Sequence, residues 1–365
     1  MLKYLLAFII LVHGLIHFMG FAKAFNYGNI TQLTKEISKP SGLIWMLTAF
    51  LFITATVLFL LKKDAWLFFG VTAVIISQIL IFTVWQDAKF GTIANIIILA
   101  ITISMVVCTT MKKTFEKERI EEIRKSDSAN VIEPLTEEKI KDIPEPIKKY
   151  LRKCGYVNKS IVFNADVFWK ESYIRLKPDK DWTELTTKQF NSVKPISRIA
   201  YMEFKTMPVT GRDIYRNGQG NMNGKLFNLI PIINGKGKEV SQSSLITIFC
   251  EFLFIPGYIM QDYVKWEYLD EKTVRATVFD EGFIVTGIFH FDNEGLFSRF
   301  ETEDRYYTDE KGKYAKTSFS AIVDSYQTQD SIIIPEKVRI VWHLKNGDYE
   351  YYKGTISKIV INVAE

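Results

Sequence analysis

Apolar residues fill the first 111 positions in four long runs. Between Lys3 and Lys23 lie 19 uncharged residues, and between Lys39 and Lys62, Asp64 and Asp87, and Lys89 and Lys112 lie 22 each. A helix needs about 20 apolar residues to cross ~30 Å of hydrocarbon. The pattern therefore predicts four membrane spans, about Tyr4–Phe21, Leu43–Leu61, Trp66–Trp85 and Ile93–Met111. Trp45, Trp66 and Trp85 fall near span ends, as an aromatic belt requires. The first run is too long for the core of a cleaved signal and no small-residue cleavage site closes it, so it is read as a retained helix.

Beyond Met111 the pattern changes twice. Helical spacing persists from Lys112 to about Lys125, with a break expected at Ser126-Asp127-Ser128, and two short helices follow, one capped by Thr136 and one opened by Pro144 and Pro146 and closed at Gly155. From Ser160 the period becomes two. Ile161, Phe163, Ala165, Val167 and Trp169 face one way and Val162, Asn164, Asp166, Phe168 and Lys170 the other; Val338, Ile340, Trp342 and Leu344 repeat the alternation. About ten more strand-like runs lie between these, parted by turns such as Asn217-Gly218, Asn223-Gly224, Asn293-Glu294-Gly295, Glu310-Lys311-Gly312 and Asn346-Gly347. Many strands joined by short turns predict an antiparallel meander, as a curved sheet or unclosed β-barrel.

One helix interrupts the strands, about Glu239–Phe254, stopped by Pro256-Gly257. Ser244, Thr247 and Glu251 form a narrow polar stripe, which places Glu251 at a partly exposed position. Apolar residues fill the rest, a wider arc than one sheet face needs. The helix is expected to act as a lid over one opening of the sheet, with Phe249, Phe252 and Leu253 pointing inward as candidate ligand-lining residues. The fold class is thus a four-helix membrane domain (1–111), a charged linker with short helices (112–155) and an antiparallel β-rich soluble domain (156–365), α+β overall.

Charge separates the parts further. Residues 1–111 hold 7 Lys and 3 acids, a net of +4, while residues 112–365 hold 39 basic and 38 acidic residues, a net of +1. The second part has no field that would attract nucleic acid. With the N-terminus inside, the inner segments carry nine basic residues (Lys3, Lys62, Lys63, Lys112, Lys113, Lys117, Arg119, Arg124 and Lys125). The outer loops carry four (Lys23, Lys35, Lys39 and Lys89). The positive-inside rule then puts both termini and the soluble domain in the cytoplasm; the three Lys of the first outer loop argue the other way. Cys108, Cys154 and Cys250 have neither disulfide nor zinc spacing and read as buried thiols.

Polar residues inside spans are costly. His13 and His17 share one face of the first span, Asp87 follows the third and Asn95 opens the fourth. An antiparallel bundle brings these ends to one membrane face, so His17 and Asp87 are expected to be neighbours. The set is either a proton, metal or quinone site or a knot of helix–helix hydrogen bonds. A metal is not expected, because His-x-x-x-His lacks the helical Glu of a zinc motif, and no cofactor is expected either. Gly14 and Gly20 would let helices approach closely.

The soluble part has no phosphate-binding loop, nucleophile elbow or Cys-x-x-Cys. Its two histidines, His290 and His343, lie in strands, and nothing in the sequence selects a Ser-His-Asp set. Arg299, Glu301, Glu303 and Arg305 are expected on one strand face, where Arg299, Glu301 and Arg305 could line a polar pocket for a phosphate or carboxylate or pair in solvent.

Two stretches of the membrane part, His13-Gly14-Leu15-Ile16-His17-Phe18-Met19-Gly20-Phe21-Ala22-Lys23-Ala24-Phe25 and Gln86-Asp87-Ala88-Lys89-Phe90-Gly91-Thr92-Ile93-Ala94-Asn95, resemble a bacterial family of uncharacterised four-span membrane proteins. So do Pro146-Ile147-Lys148-Lys149-Tyr150-Leu151-Arg152-Lys153-Cys154-Gly155 and Phe291-Asp292-Asn293-Glu294-Gly295-Leu296. The resemblance implies a multi-pass protein of the bacterial cell membrane and supplies no catalytic residue. A curved sheet with an apolar helix in its mouth is also similar, at the level of fold alone, to bacterial lipoprotein-carrier (LolA/LolB-like) domains. The leading expectation is a non-enzymatic protein that handles an apolar, lipid-like small molecule at the bilayer. The alternatives are a membrane enzyme acting on a lipid or quinone at His13, His17 and Asp87, and an envelope interaction or regulatory protein whose partner the sequence does not name.

Overall fold

The computed structural model describes residues 2–129, 133–227, 230–309 and 311–365, without the side chains of residues 2, 104, 106–110, 128 and 129. The side chain of Cys108 and the turn residue Glu310 lie outside the described residues. The chain forms two compact units, Met1–Thr110 and Met111–Glu365.

The first unit is helical: α1 (Leu2–Phe25), α2 (Lys39–Leu60), α3 (Trp66–Thr83), the short α4 (Trp85–Ala88) and the beginning of α5 (Gly91–Ala129). Ser38 caps α2, accepting from Ser41 N at 3.4 Å, and a proline in the first turn fixes its start. Three helices are long and apolar enough to cross a membrane, Lys3–Phe25, Lys39–Leu60 and Trp66–Thr83, rather than the expected four. In the fourth run the described apolar stretch is shorter, Gly91–Ile103. The third span ends two residues earlier than expected because Val84 leaves helical geometry (φ −126°, ψ 39°). Glycine sets the α1–α2 spacing: a Cβ on Gly20 would lie 2.1 Å from the Trp45 ring, and one on Gly14 would lie 2.7 Å from Phe52 Cβ.

The second unit takes α5 from Met111 onward, α6 (Glu145–Lys153) and α7 (Lys238–Phe249). Its strands are β1 (Asn164–Ile174), β2 (Thr183–Ser192), β3 (Ser197–Phe204), β4 (Val209–Arg216), β5 (Gln219–Leu226), β6 (Ile230–Lys236), β7 (Val264–Asp270) and β8 (Thr273–Asp280). They continue with β9 (Phe283–Phe291), β10 (Phe297–Thr302), β11 (Tyr306–Thr308), β12 (Tyr314–Lys316), β13 (Phe319–Gln329), β14 (Ile332–Leu344) and β15 (Gly347–Ile361). Thirteen of them make one antiparallel sheet, in the order β6-β5-β4-β3-β2-β1-β15-β14-β13-β10-β9-β8-β7, and β11 and β12 form a separate pair. The sheet is large and not closed; the protein is α+β.

Topology explains where the lone helix lies. The chain leaves the sheet at one edge, β6, and re-enters at the other, β7, so α7 and the 3-10 turn Pro256–Met260 must cross between the two edges. The sheet curls around this crossing. The Tyr215 hydroxyl of β4 donates to the Asp280 carboxylate of β8, although these strands are far apart in the sheet order.

Both faces of β1–β4 are covered. The inner face looks toward α7. On the outer face lies α5, held by ion pairs of Lys112 with Glu203 (2.8 Å), Glu116 with Lys188 (2.9 Å) and Glu122 with Arg216 (2.7 Å), and by Arg119 with Asp166 and Glu118 with Arg212. This cover is why β1 buries Asn164 and Asp166 as well as Ala165 and Val167. The helix runs without the expected break at Ser126-Asp127-Ser128, continuing to Ala129. Ser126 is buried and bonds the Phe163 carbonyl, so packing on the sheet extends the helix through a polar sequence. The segment after Thr136 forms turns rather than a helix, whereas α6 ends as expected, with Gly155 at φ +79°. Asn223-Gly224 is no turn: it lies inside β5, with Gly224 opposite Gly211 of β4.

Candidate functional site

The inner face of the sheet holds two different fillings. Toward β7–β10 it is a solid aromatic core. Phe249 packs edge-on against Phe252, Phe289 and Phe300, and Phe252 stacks on Tyr258 at 4.5 Å. Phe249, Phe252 and Leu253 are fully buried there. Toward β1–β6 and β13–β15 the sheet stands away from α7 and leaves a cavity of about 320 Å³. Phe254, rather than Phe249, Phe252 or Leu253, lines it. Phe249, Phe252 and Leu253 thus point into the protein core rather than into the cavity, whereas Thr247 and Glu251, read as facing water, face the cavity. The helix itself is shorter than the expected Glu239–Phe254, ending at Phe249 and leaving Glu251 and Phe254 in the turns that follow.

The cavity walls are mostly apolar, with Ala200, Met202, Val209, Ala321, Val338 and Ile340 among their residues. Leu176, Met222, Ile232 and Ile233 belong to the same lining and are also exposed, which marks the opening. Gly211 and Gly224, paired across β4 and β5, both line it. Side chains at these positions would occupy the space, so the glycines contribute to its volume.

Beneath α7 the lining becomes charged. Glu251 is buried, against expectation, because the sheet supplies its partners. It accepts from Gln189 Nε2 at 3.0 Å, Asn191 Nδ2 at 2.8 Å and Arg198 Nε at 3.1 Å. Arg198 Nη1 also donates to Asp213 at 3.0 Å. Burial pushes the Glu251 carboxyl above its ordinary value while Arg198 pulls it down. Burial also pulls the Arg198 guanidinium down, but Glu251 and Asp213 outweigh it and hold it above its ordinary value. The group is a satisfied ion network, which is how charge survives burial. Its signal in the sequence was one arginine on the apolar face of β3, Arg198 in line with Ala200, Met202 and Phe204.

The second buried arginine, Arg305, donates from Nη1 to Ser243 O at 2.9 Å and Thr247 Oγ1 at 2.7 Å, and lies 4.4 Å over the Phe319 ring. The expected polar face of Arg299, Glu301, Glu303 and Arg305 is divided, because β10 ends at Thr302. Arg305 belongs to the cavity, whereas Arg299 and Glu301 pair with each other at 2.8 Å, outside its lining and partly in solvent.

The outer face carries a Ser-His-Asp line that the sequence did not reveal. Ser320 Oγ lies 2.8 Å from His343 Nε2, and His343 Nδ1 lies 2.7 Å from Asp348. Ser320 is fully buried near the start of β13 and its oxygen accepts from Arg299 Nε at 3.2 Å. A nucleophile must reach a carbonyl, and this one is closed to it.

In the helical unit, His13 and His17 converge on Ser77 of α3 and Asn95 of α5. His17 Nδ1 donates to the His13 carbonyl at 2.8 Å, so its Nε2 accepts from Ser77 Oγ at 2.9 Å. His13 Nε2 then donates to Asn95 Oδ1 at 2.9 Å. Asn95 Nδ2 donates to Ser77 and to Gln78, each at 3.0 Å. This assignment uses two neutral imidazoles and describes a knot joining three helices. Asp87 is not in it. The turn at Val84 carries Asp87 to a half-buried position away from the histidines, where it accepts from Thr34 N at 2.8 Å and Thr34 Oγ1 at 2.9 Å. These bonds hold its carboxyl below the ordinary range. No cluster of three or more metal-ligating side chains occurs among the described residues.

Residues 133–354 match the model of a family of unknown function, DUF6544, and the chain belongs to that family. The match lies in the β-rich unit. Among solved structures, the chain is similar to a putative outer membrane lipoprotein-sorting protein domain from Vibrio parahaemolyticus, at 8% identity and a TM-score of 0.33, covering 60% of this chain and 92% of that one. It is similar to a DUF1329 family protein from Desulfovibrio piger (10% identity, TM-score 0.33, 60% and 93% covered). It is likewise similar to a LolA superfamily protein from Nitrosomonas europaea (10% identity, TM-score 0.33, 60% and 94% covered). No curated protein matches the chain.

Proposed function

We propose that the β-rich unit holds an apolar, lipid-like molecule in the cavity beneath α7, at a bacterial cell membrane in which the first unit is embedded. The cavity carries this reading. Its volume of about 320 Å³ falls in the range of small-molecule sites, about 300–1,000 Å³, which are likewise mostly apolar with a few placed polar groups. Helix α7 forms one inner wall of the cavity, and Leu176, Met222, Ile232 and Ile233 rim its opening. The apolar start of α5 completes a fourth span, both termini lie inside, and the soluble unit is cytoplasmic.

Mass spectrometry of small molecules retained by the purified full chain tests the reading, with Gly211→Leu as control. A Cβ at Gly211 meets Met202 Cε at 3.5 Å, Asn223 O at 3.6 Å and Met202 Cβ at 3.9 Å, all ordinary contacts, so the strand accommodates leucine while the cavity loses space. The expected result is a retained lipid or fatty acid that the variant loses. A lipid-free protein that takes up no apolar molecule, or retention unchanged by Gly211→Leu, would remove the proposal.

A further inference from the structure

We infer that the cavity takes an anionic amphiphile, with its carboxylate or phosphate head on Arg305 and its tail along β13 and β14. This rests on the proposed apolar ligand and adds its charge and direction. Arg305 is 7% exposed and lines the cavity. The other cavity arginine, Arg198, is neutralised by Glu251 and Asp213. Arg305 has no carboxylate within ion-pair distance among the described residues. Its Nη1 bonds α7, and its Nε is buried and donates to nothing among the described residues. A buried cation without a counter-charge is costly, and the guanidinium fork matches carboxylate and phosphate oxygens. An anion supplied by the ligand at the guanidinium would provide that counter-charge.

The surroundings set the direction of the tail. Arg305 lies over Phe319 at 4.4 Å and Trp342 at 5.5 Å. These two are cross-strand partners, and the next inward pairs are Ala321 with Ile340 and Val323 with Val338. All four of those residues line the cavity. Two steps of about 6.8 Å each make an apolar track of about 14 Å leading away from the charge.

The test uses the full chain in nanodiscs and three photoreactive probes of equal chain length: dodecanoate, dodecyl phosphate and dodecanol, each bearing a diazirine. Crosslinks mapped to cavity peptides are followed against probe concentration. The anionic probes are expected to saturate the cavity at a concentration lower than dodecanol by about tenfold or more, the usual scale of one charged hydrogen-bonded contact. Comparison of the two anions tells a carboxylate site from a phosphate site. Arg305→Gln should bring the ratio of anion to alcohol toward one, and Arg305→Lys should keep it well above one. Thermal melting checks that each variant is folded, and the unaltered chain carries the comparison if Arg305→Gln is not. Equal saturation by all three probes in the unaltered chain overturns the anionic head and leaves the apolar ligand standing. So does a ratio that Arg305→Gln leaves unchanged. Absence of cavity crosslinks from every probe overturns both readings.

Discussion

At the scale of single residues, burial decides chemistry. Cys154 and Cys250 are buried among core side chains, and desolvation pushes each thiol up to about 12. The thiolate is the reactive form, so raising the pKa suppresses reaction at any lower pH. Iodoacetamide at pH 8 should leave both unmodified in the folded chain and alkylate both in denaturant, as peptide mapping would read. Rapid alkylation of either in the folded state would contradict the packing described. The same logic separates the histidines from Asp87. His13 and His17 are buried and could be recognised as polar residues on one face of an apolar helix from their spacing. Asp87 looked like their partner because it follows a span, but a two-residue difference in where α3 ends moved it to Thr34. Ser77, the group on which both histidines converge, is a small polar residue in an apolar run and gave no signal of its own.

At the scale of elements, periodicity revealed much, but not which way α7 faced. The alternation in β1 and β14, the Asn-Gly turns at Asn217 and Asn346, and the α6 stop at Gly155 could all be read. The polar stripe of α7 was read as facing water because a stripe alone does not say what lies opposite. Here Arg198, Gln189 and Asn191 reach it from the sheet. Phe252→Ala follows from the corrected orientation. The ring is fully buried in the aromatic core, so its loss should cost about 3–5 kcal/mol of stability. Ligand retention per folded molecule should hold, since Phe252 is outside the cavity lining. Chemical denaturation beside retention measurements separates the two. Loss of retention at unchanged stability would return Phe252 to the ligand site. Likewise, α5 could be read as a helix, but its docking could not: Lys112, Arg119, Arg124 and Lys125 read as a topology signal and are each engaged in an ion pair within the second unit.

For the whole molecule, that double use weakens the count of nine basic residues against four, because part of the cluster has a structural role as well. Side placement is therefore an expectation with a direct measurement. A single cysteine at Lys311, in an exposed turn of the β-rich unit, should resist an impermeant thiol reagent in intact cells and react after permeabilisation. Labelling in intact cells would put the β-rich unit outside.

The pairing of β1 with β15 sets the order in which this sheet can assemble on the ribosome. Ala165 lies opposite Ile361, so the middle of the sheet joins strands from opposite ends of the β-rich unit. Until β15 leaves the exit tunnel, the strands from β1 to β6 and those from β7 to β14 are two separate arms, each with an open edge where the seam will form. Such edges invite wrong pairing, and distant pairing is slow to form. A nascent chain stalled before Gly347 should stay protease-sensitive throughout the β-rich unit, while one extended past Ile361 by a linker long enough to clear the tunnel should become resistant in a single step. Stepwise resistance, one arm before the other, would show that the arms fold alone. If they do not, the last strand made is the one that commits the whole sheet, and premature termination near the C-terminus would yield an aggregating chain rather than a shortened domain.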